Sequence, residues 1–356
     1  MRLLTTTSAA LLLLVLAANA NAEIVIGVAG PLSGPSATLG KQVENGAEQA
    51  AEANGVTVKT VDDACTADGG AAAAKEFAAE KVNIVVGFLC TDAIEAALPI
   101  LKDANIPVIT VGVRTESLTD RRAKTGWPVY RLGPRGDDER NAVAANLTQL
   151  WRDDLFAIVD DGTIYGREIA ETFRAAAEQA ALKPVFTDTF RPQLDNQIGL
   201  VGRLKKAGAT KVFAGGDGDD IAIMGRDAAQ LDAGITLAGG ENLRTPPGDV
   251  PYAPGTLMIA LPEWEQVGDP KVVQAFTAKT IVPEGYTLPA YAAVEIAKAA
   301  LADAQSTGKP IAEALTGHDF VTAIGTIRFN EKGDLSQNPF RLFRFDGTRF
   351  VPLEAK

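Results

Sequence analysis

The hydrophobic positions in the first third of the chain form short continuous runs, separated by stretches with helical periodicity. The continuous runs predict buried strands at Ile24–Val28, Val56–Val61, Ile84–Val86 and Pro107–Ile109. The periodic stretches predict helices that include Val43–Ala51, Ala71–Glu80 and Ile94–Leu101. Alternation of buried strands with helices is typical of a parallel sheet that helices cover on both faces.

The same alternation returns in the middle of the chain. It predicts strands at Leu155–Val159, Val185–Phe186, Val212–Ala214 and Ile235–Ala238, and helices at Gly166–Ala180, Ile198–Lys206 and Ile221–Leu231. The stretch Gly133–Asp138 between the two series is rich in turn formers and charge, and it predicts a crossover. Two doubly wound α/β lobes are therefore expected.

The pattern changes again after a strand predicted at Leu257–Ala260. Pro262 and the turn Gly268-Asp269-Pro270 indicate a second crossover, and two helices are predicted after it, at Val272–Lys279 and Ala290–Ala304. The C-terminal segments 340–345 and 350–351 flank Asp346-Gly347, which predicts a β-hairpin.

The first 22 residues have the three parts of a secretory signal peptide. Arg2 is the only charged residue before Glu23, the apolar run Ala9–Ala18 follows it, and Ala20-Asn21-Ala22 is a small-residue cleavage motif. We therefore expect an exported protein that is cleaved after Ala22. An uncleaved anchor is the alternative, although the apolar run is short for a bilayer span.

The length and the charge narrow the class of protein further. The 356 residues exceed what one hydrophobic core usually holds, which agrees with two lobes. The formal net charge is −11 at pH 7, and an acidic chain is a poor partner for nucleic acids or anionic lipids. We expect a monomer without a nucleic-acid partner, whose charge serves solubility.

The chain has two cysteines, Cys65 and Cys90. An even number in an exported protein favours a disulfide, which would close a loop of about 25 residues and contribute about 3 kcal/mol to stability. A zinc site and a catalytic Cys-His pair are the alternatives. Both are disfavoured, because His318 is the only histidine and no C-x-x-C spacing occurs.

The sequence carries no recognisable catalytic or cofactor-binding motif. G-x-S-x-G, H-E-x-x-H and P-loop patterns are absent, and the early glycines do not match G-x-G-x-x-G. His318 follows a predicted helix end, where a solvated histidine is common. The acidic groups at 62–63 and at 217–220 lack the spacing of a Ca²⁺ loop. We therefore expect neither an enzyme, nor a cofactor, nor a metal site.

Polar segments follow five of the predicted strands. They are Cys90-Thr91-Asp92, Thr110–Arg114, Asp160–Tyr165, Gly215-Gly216-Asp217 and Gly239-Gly240-Glu241. In parallel α/β sheets, ligands bind at the carboxyl ends of the strands, where helix N-termini offer free N–H groups. These segments are therefore expected to meet in one cleft between the lobes.

Each segment also has a structural interpretation. Asp92 with Glu95 matches a capping box, so Asp92 is expected to cap its helix. The glycines permit tight turns, and Tyr165 can cover the face of a lobe. For Arg114 and Glu241 both the functional and the structural interpretation stay open at this point.

Several motifs in a fixed order resemble a known family. They are Ile26-Gly27-Val28, Ser33-Gly34-Pro35, Asp62-Asp63-Ala64-Cys65, Val86–Cys90, Tyr165-Gly166, Gly239-Gly240-Glu241, Tyr291–Val294 and Phe329–Leu335. The chain resembles the branched-chain amino acid-binding proteins of bacterial ABC transporters, with the type I periplasmic binding fold, over nearly all of residues 23–356.

The resemblance implies two lobes joined by three crossovers. Lobe 1 would contain residues 23–136 and 263–339, and lobe 2 would contain residues 137–262 and 340–356. It also implies that Cys65 pairs with Cys90. Such a protein is periplasmic, captures a small ligand by lobe closure and presents it to a membrane permease. A sensory module of the same fold is the alternative, and an enzyme is a remote one.

The resemblance also assigns roles to residues of the predicted cleft. Thr91 would help to hold the ligand carboxylate, and the segment from Gly112 to Arg114 would contribute backbone groups. Glu241 would receive the ammonium group of the ligand, and Tyr165 would cover the ligand. Asp92 and Asp217, which also follow predicted strands, are further candidate ligand-binding residues. Arg114 departs from the threonine of leucine-type binders and can grip a carboxylate in a bidentate manner.

Two further positions depart from the family pattern. An aromatic residue of lobe 2 corresponds to Asp217-Gly218 here, and Leu39 stands where some members have an aromatic. These departures weaken the case for leucine itself. A smaller amino acid, a dicarboxylate or another organic acid is an open alternative.

Overall fold

Two β-sheets carry the fold of residues 24–353, which a computed structural model describes, apart from the side chains of Glu265 and Gln266. The predicted signal peptide, residues 1–22, lies outside the described residues. The chain passes between the two sheets three times, after residues 131, 260 and 335. Within residues 24–353, no helix combines the length and the apolar character that a membrane crossing requires.

The first sheet has five parallel strands in the order β2-β1-β3-β4-β5. The strands are β1 (Val25–Gly30), β2 (Thr57–Asp62), β3 (Ile84–Gly87), β4 (Val108–Thr110) and β5 (Val129–Arg131). Every residue of β3, β4 and β5 is buried, because helices cover both faces of the sheet.

Two helix pairs cover this sheet. On one face lie α1 (Ala37–Asn54) and α12 (Thr287–Thr307), and on the other lie α2 (Ala67–Glu80) and α3 (Thr91–Asp103). Helices α1 and α12 cross closely at Gly46, where a Cβ atom would lie 2.1 Å from the Thr287 carbonyl oxygen. Glycine is therefore required at this crossing.

The second sheet has seven strands in the order β14-β13-β10-β9-β8-β6-β7. The parallel strands are β6 (Phe156–Asp160), β7 (Phe186–Thr189), β8 (Lys211–Gly215), β9 (Thr236–Gly239) and β10 (Leu257–Ala260). The predicted C-terminal hairpin is present as β13 (Arg341–Phe345) and β14 (Phe350–Pro352), and it extends the sheet in the antiparallel sense.

Helices also cover both faces of the second sheet. One face packs against α6 (Asp138–Leu150) and α7 (Ile164–Gln179), and the other against α8 (Ile198–Lys206) and α9 (Gly218–Gln230). The rings of Trp151, Phe156 and Phe173 pack together where α6 and α7 meet the sheet, with centroids 5.5–6.3 Å apart. The predicted pair of doubly wound α/β units is confirmed.

Short elements complete the fold. They are α4 (Ser117–Asp120), α5 (Arg122–Thr125), a 3₁₀ helix (Glu241–Arg244), α10 (Trp264–Val267), α11 (Pro270–Ala278), α13 (Ile311–Ala314), β11 (Phe320–Thr322) and β12 (Gly325–Ile327). Phe276, Leu315 and Phe329 from the C-terminal part of this group join the α1–α12 core of the first sheet.

Two elements of the main sheets and their covering helices, β5 and α6, were not predicted from the sequence pattern, and neither were most of the short elements. Strand β5 contains Arg131, which is fully buried, so the strand has no continuous apolar run. Helix α6 begins with the polar residues 138–141 and buries only a few side chains, among them Val143 and Leu147. Hydrophobic periodicity detects only segments that bury apolar side chains in a regular pattern. These two elements also depend on polar contacts with distant parts of the chain.

Candidate ligand-binding site

The predicted site residues all follow strands at the carboxyl edges of the two sheets. Thr91 and Asp92 begin α3 after β3, and Gly112 and Arg114 follow β4. The other three come from the second sheet: Tyr165 lies in α7 after β6, Asp217 precedes α9 after β8, and Glu241 begins the 3₁₀ helix after β9.

An ion pair joins the carboxyl edges of the two sheets. Arg114 Nη1 lies 3.7 Å from Glu241 Oε2, and the side chains are 45 % and 26 % exposed. The two residues come from different sheets and are 127 positions apart in the sequence. This contact brings together the two residues whose roles the sequence left open. We call the carboxyl edge of the first sheet, with the segments that follow β3 and β4, the first wall, and the corresponding edge of the second sheet the second wall.

The N-terminus of α3 lies on the first wall. Thr91 Oγ1 is 2.6 Å from Thr115 Oγ1, and Thr115 is the neighbour of Arg114. The N-cap residue is Cys90, whose side chain makes no capping hydrogen bond. The first-turn N–H groups of a helix are a ready site for an anionic group when no side chain caps them.

The prediction that Asp92 caps α3 is wrong. The helix begins at Thr91, which places Asp92 inside the first turn, where it is exposed. The helix follows Cys90, which is held in the disulfide with Cys65, and it begins two residues earlier than the capping-box pattern of Asp92 and Glu95 predicts.

The predicted disulfide between Cys65 and Cys90 is present, with the two Cα atoms 5.2 Å apart. It links the loop after β2 to the residue that precedes Thr91. Cys65 itself has a left-handed backbone with φ of 56°, and its N–H donates to Asp63 Oδ1 at 2.9 Å. The crosslink thereby anchors the start of α3.

Removal of this crosslink is expected to lower the free energy of unfolding by about 3 kcal/mol, since the chain between the cysteines regains its freedom in the unfolded state. The measurement is urea denaturation of the wild type and of a Cys65→Ser/Cys90→Ser variant, each with and without a reductant. Reductant should destabilise the wild type and leave the double variant unchanged. Equal curves for all four samples would contradict the prediction.

Gly112 allows close packing beside Arg114. A Cβ atom at this position would lie 2.5 Å from Leu89 Cδ2 and 3.1 Å from Tyr286 Cε1. The backbone of the segment therefore lies directly against the segment after β3, and residue 112 can offer only main-chain groups to a ligand.

On the second wall, three polar groups converge on the start of the 3₁₀ helix. Glu139 Oε1 accepts hydrogen bonds from the Tyr165 hydroxyl and from the Glu241 backbone N–H, each at 2.7 Å. Burial raises the pKa of the Glu139 carboxyl above its usual range, and it also raises the pKa of the Tyr165 hydroxyl. Tyr165 is therefore a neutral donor near neutral pH.

Asp217 lies at the rim of the second wall. It is exposed at the N-cap of α9, and its Oδ1 accepts a hydrogen bond from Asn242 Nδ2 at 3.2 Å. The neighbouring Asp219 and Asp220 bond instead to the backbone N–H groups of Gly248 and Gln193. Among residues 24–353, no group of three or more His, Cys, Asp or Glu side chains is placed to hold a metal ion.

The predicted site residues therefore lie at the carboxyl edges of the two sheets, which Arg114 and Glu241 connect. Two residues that contact them, Thr115 and Glu139, were not predicted. Thr115 directly follows the predicted segment, so extending that segment by one residue would have included it. Glu139 lies in the unpredicted helix α6, and nothing in its local sequence indicates that it reaches Glu241, 102 positions away.

Other features that the sequence singled out lie apart from these edges. His318 is exposed beyond α13, as expected for a solvated histidine. A surface cavity of about 730 Å³ lies between the end of α6 and α7, and it is lined by residues such as Thr148, Arg152 and Asp153. It contains none of the predicted site residues.

The sequence matches the family model described as periplasmic binding protein over residues 23–349, and the chain belongs to this family. It is 32 % identical to the Leu/Ile/Val-binding protein homolog 3 of Brucella melitensis, over 95 % of both chains. It is 31 % identical to the leucine-, isoleucine-, valine-, threonine- and alanine-binding protein of Pseudomonas aeruginosa, over 92 % of this chain and 91 % of the other.

The fold comparison agrees with the family. A crystal structure of a putative branched-chain amino acid ABC transporter from Rhodospirillum rubrum superposes with a TM-score of 0.77 at 18 % identity, and it covers 93 % of this chain and all of the other. The predicted type I periplasmic binding fold and the predicted family are confirmed. The family consists of binding proteins, which agrees with the expectation that the chain is not an enzyme.

Proposed function

We propose that this protein is the periplasmic substrate-binding component of an ABC importer, and that it binds a small carboxylate, most simply an amino acid, between its two sheets. The observation that carries the proposal is the Arg114–Glu241 pair, in which a cation on one wall faces an anion on the other. The curated relatives are named for binding amino acids, which supports the same ligand class.

The arrangement of charge suits a ligand that is itself a zwitterion. Arg114 and the uncapped start of α3 supply a guanidinium group and free N–H groups for a carboxylate. Glu241 supplies a carboxylate for an ammonium group. A bound amino acid would then lie between Arg114 and Glu241 and satisfy both, so neither charge would be left unpaired when the cleft closes.

The proposed lobes are residues 23–136 with 263–339 and residues 137–262 with 340–356. The order of strands in the two sheets and the three passages between them support these boundaries. Closure of the lobes by a hinge motion would bury the ligand and present both lobes to a membrane permease. Export through a signal peptide cleaved after Ala22, and a monomeric state, belong to the same proposal.

The presence of Arg114 argues against leucine as the only ligand. Its long cationic side chain occupies the cleft and can hold a carboxylate in a bidentate manner. Asp217 stands at the rim in place of an aromatic side chain, which favours a polar or small ligand over a large apolar one. Dicarboxylates and other organic acids therefore belong in the panel of candidate ligands.

A thermal-shift screen tests the proposal. The panel contains the 20 common amino acids, dicarboxylates, aromatic acids and amides, with glucose and a nucleoside as controls that lack a carboxylate. A ligand at about 100 times its Kd stabilises the folded state by about 2.7 kcal/mol, which raises the melting temperature by several degrees. If no carboxylate raises it, or if the controls raise it equally, the proposed function is wrong.

A further inference from the structure

Glu139 lies behind the two residues that the second wall offers to a ligand. It belongs to the first turn of α6, which is close in sequence to the passage between the sheets. Its Oε1 atom accepts one hydrogen bond from the Tyr165 side chain and one from the Glu241 main chain, each at 2.7 Å. One carboxylate oxygen thus joins α6, α7 and the 3₁₀ helix.

The side chains of Glu139 and Tyr165 pack directly against the backbone of Gly240. A Cβ atom on Gly240 would lie 2.3 Å from Glu139 Oε1 and 2.3 Å from the Tyr165 hydroxyl. The carboxylate and the phenol therefore lie in contact with the main chain that precedes Glu241. Because the Glu241 N–H and the Tyr165 hydroxyl share the acceptor Oε1, loss of the Glu139 side chain would remove the acceptor of both donors.

Opposing interactions act on the Glu139 carboxyl. Burial raises its pKa, and so does the like charge of Glu241, whereas the hydrogen bonds from the Glu241 N–H and the Tyr165 hydroxyl, together with the charge of Arg114, lower it. The two hydrogen bonds therefore offset part of the cost of burying this polar group.

We propose that Glu139 is a positioning residue of the ligand site, which holds Glu241 and Tyr165 in the places from which they contact a ligand. It acts through these two residues and does not itself contact the ligand. The inference rests on the proposed function, because that function makes Glu241 and Tyr165 ligand-binding residues. The positions of these two residues can be tested without any ligand.

Three variants separate the possible roles of this side chain. Glu139→Gln keeps an acceptor oxygen and removes the charge, whereas Glu139→Ala removes both. Tyr165→Phe removes one of the two donors and keeps the carboxylate, so it remains informative if Glu139→Ala does not fold. Glu178→Ala is the matched control, because Glu178 is an exposed acid at the other end of α7.

The first measurement is amide hydrogen exchange of residues 240–244 in the protein without added ligand. Loss of one hydrogen-bond acceptor corresponds to roughly tenfold faster exchange through local opening. We expect this in Glu139→Ala, about wild-type exchange in Glu139→Gln and in the control, and a smaller increase in Tyr165→Phe. Unchanged exchange in both Glu139→Ala and Tyr165→Phe would overturn the inference.

The second measurement is the Kd for L-leucine and L-alanine by calorimetry. Glu139→Ala should weaken binding by roughly tenfold, and Glu139→Gln should restore most of it, because the acceptor is retained. Equal losses in both variants would show that charge, not positioning, is the role of Glu139, and would overturn the inference. If the wild type binds neither probe, the exchange data still decide the inference, while the broader screen decides the proposed function.

Discussion

Replacement of Asp334 by alanine is expected to lower the free energy of unfolding by about 3–5 kcal/mol, because it leaves a buried arginine without its counter-charge. Arg131 is fully buried in β5, and its Nε lies 2.8 Å from Asp334 Oδ1. Asp334 also accepts hydrogen bonds from Thr119 at 2.9 Å and from Arg135 at 3.0 Å.

The energetic reason is the low polarity around the pair. Burial lowers the pKa of the Arg131 guanidinium, whereas Asp334 opposes that change. The backbone oxygens of Val113 and Thr115 accept hydrogen bonds from Arg131 Nη1 at 2.9 Å each, and Thr119 Oγ1 accepts one from Nη2 at 2.8 Å. These groups satisfy its donors but carry no net charge, so they cannot replace Asp334 as an ion-pair partner.

The measurement is urea denaturation followed by circular dichroism. Asp120→Ala is the matched control, since Asp120 pairs with Arg135 and Lys332 in the same region but its side chain is 41 % exposed. Exposed pairs contribute about 0–1 kcal/mol, so the control should stay close to the wild type. An Asp334→Ala variant as stable as Asp120→Ala would show that the buried network does not stabilise the fold.

This network also includes a residue of the first passage between the sheets. It joins β5, the segment around Asp334 and Arg135, which lies in that passage. The contact between Arg135 Nη1 and Asp334 Oδ2, at 3.0 Å, therefore links the passage to the buried ion pair.

Replacement of Arg114 by alanine is expected to weaken binding of the best ligand from the screen by about 2–4 kcal/mol, or roughly 30- to 700-fold. The reason is that a ligand carboxylate would lose its guanidinium partner, while Glu241 would lose the cation that faces it at 3.7 Å. Arg114→Lys should give an intermediate loss, because an ammonium group keeps the charge and loses the bidentate geometry.

Isothermal titration calorimetry measures this effect. Arg121→Ala is the control, since Arg121 is an exposed arginine of the same part of the chain that lies outside the cleft, and its Kd should stay within about twofold of the wild type. A Kd for Arg114→Ala that matches the control would contradict the assignment of Arg114 to the ligand site. A loss in the control of the same size would indicate a nonspecific effect of charge.

The alternation of strands and helices was predictable because burial on both faces of a parallel sheet leaves a pattern within each short segment. The positions of Thr91, Arg114, Tyr165, Asp217 and Glu241 at the carboxyl edges of the two sheets followed from the same pattern, since each residue comes shortly after a predicted strand. The pairing of Cys65 with Cys90 was indicated by their number and by the resemblance to the family.

The capping prediction for Asp92 was wrong. The local pattern of Asp92 and Glu95 matches a capping box, but α3 begins at Thr91, directly after Cys90 of the disulfide. A capping box is a short-range pattern, and it contains no information about the pairing of Cys90 with a distant cysteine. The start of α3 has no side-chain cap, which suits the proposed carboxylate ligand.

By itself, the sequence determined that this chain forms two α/β units and which strand ends carry polar residues, and it favoured a disulfide between the two cysteines. The tertiary structure decided which side chains meet. Arg131 and Asp334 are 203 positions apart, and Glu139 and Glu241 are 102 apart. Hydrophobic periodicity records how each segment is buried, whereas contacts of charged groups depend on how distant segments pack, and no local pattern contains that information.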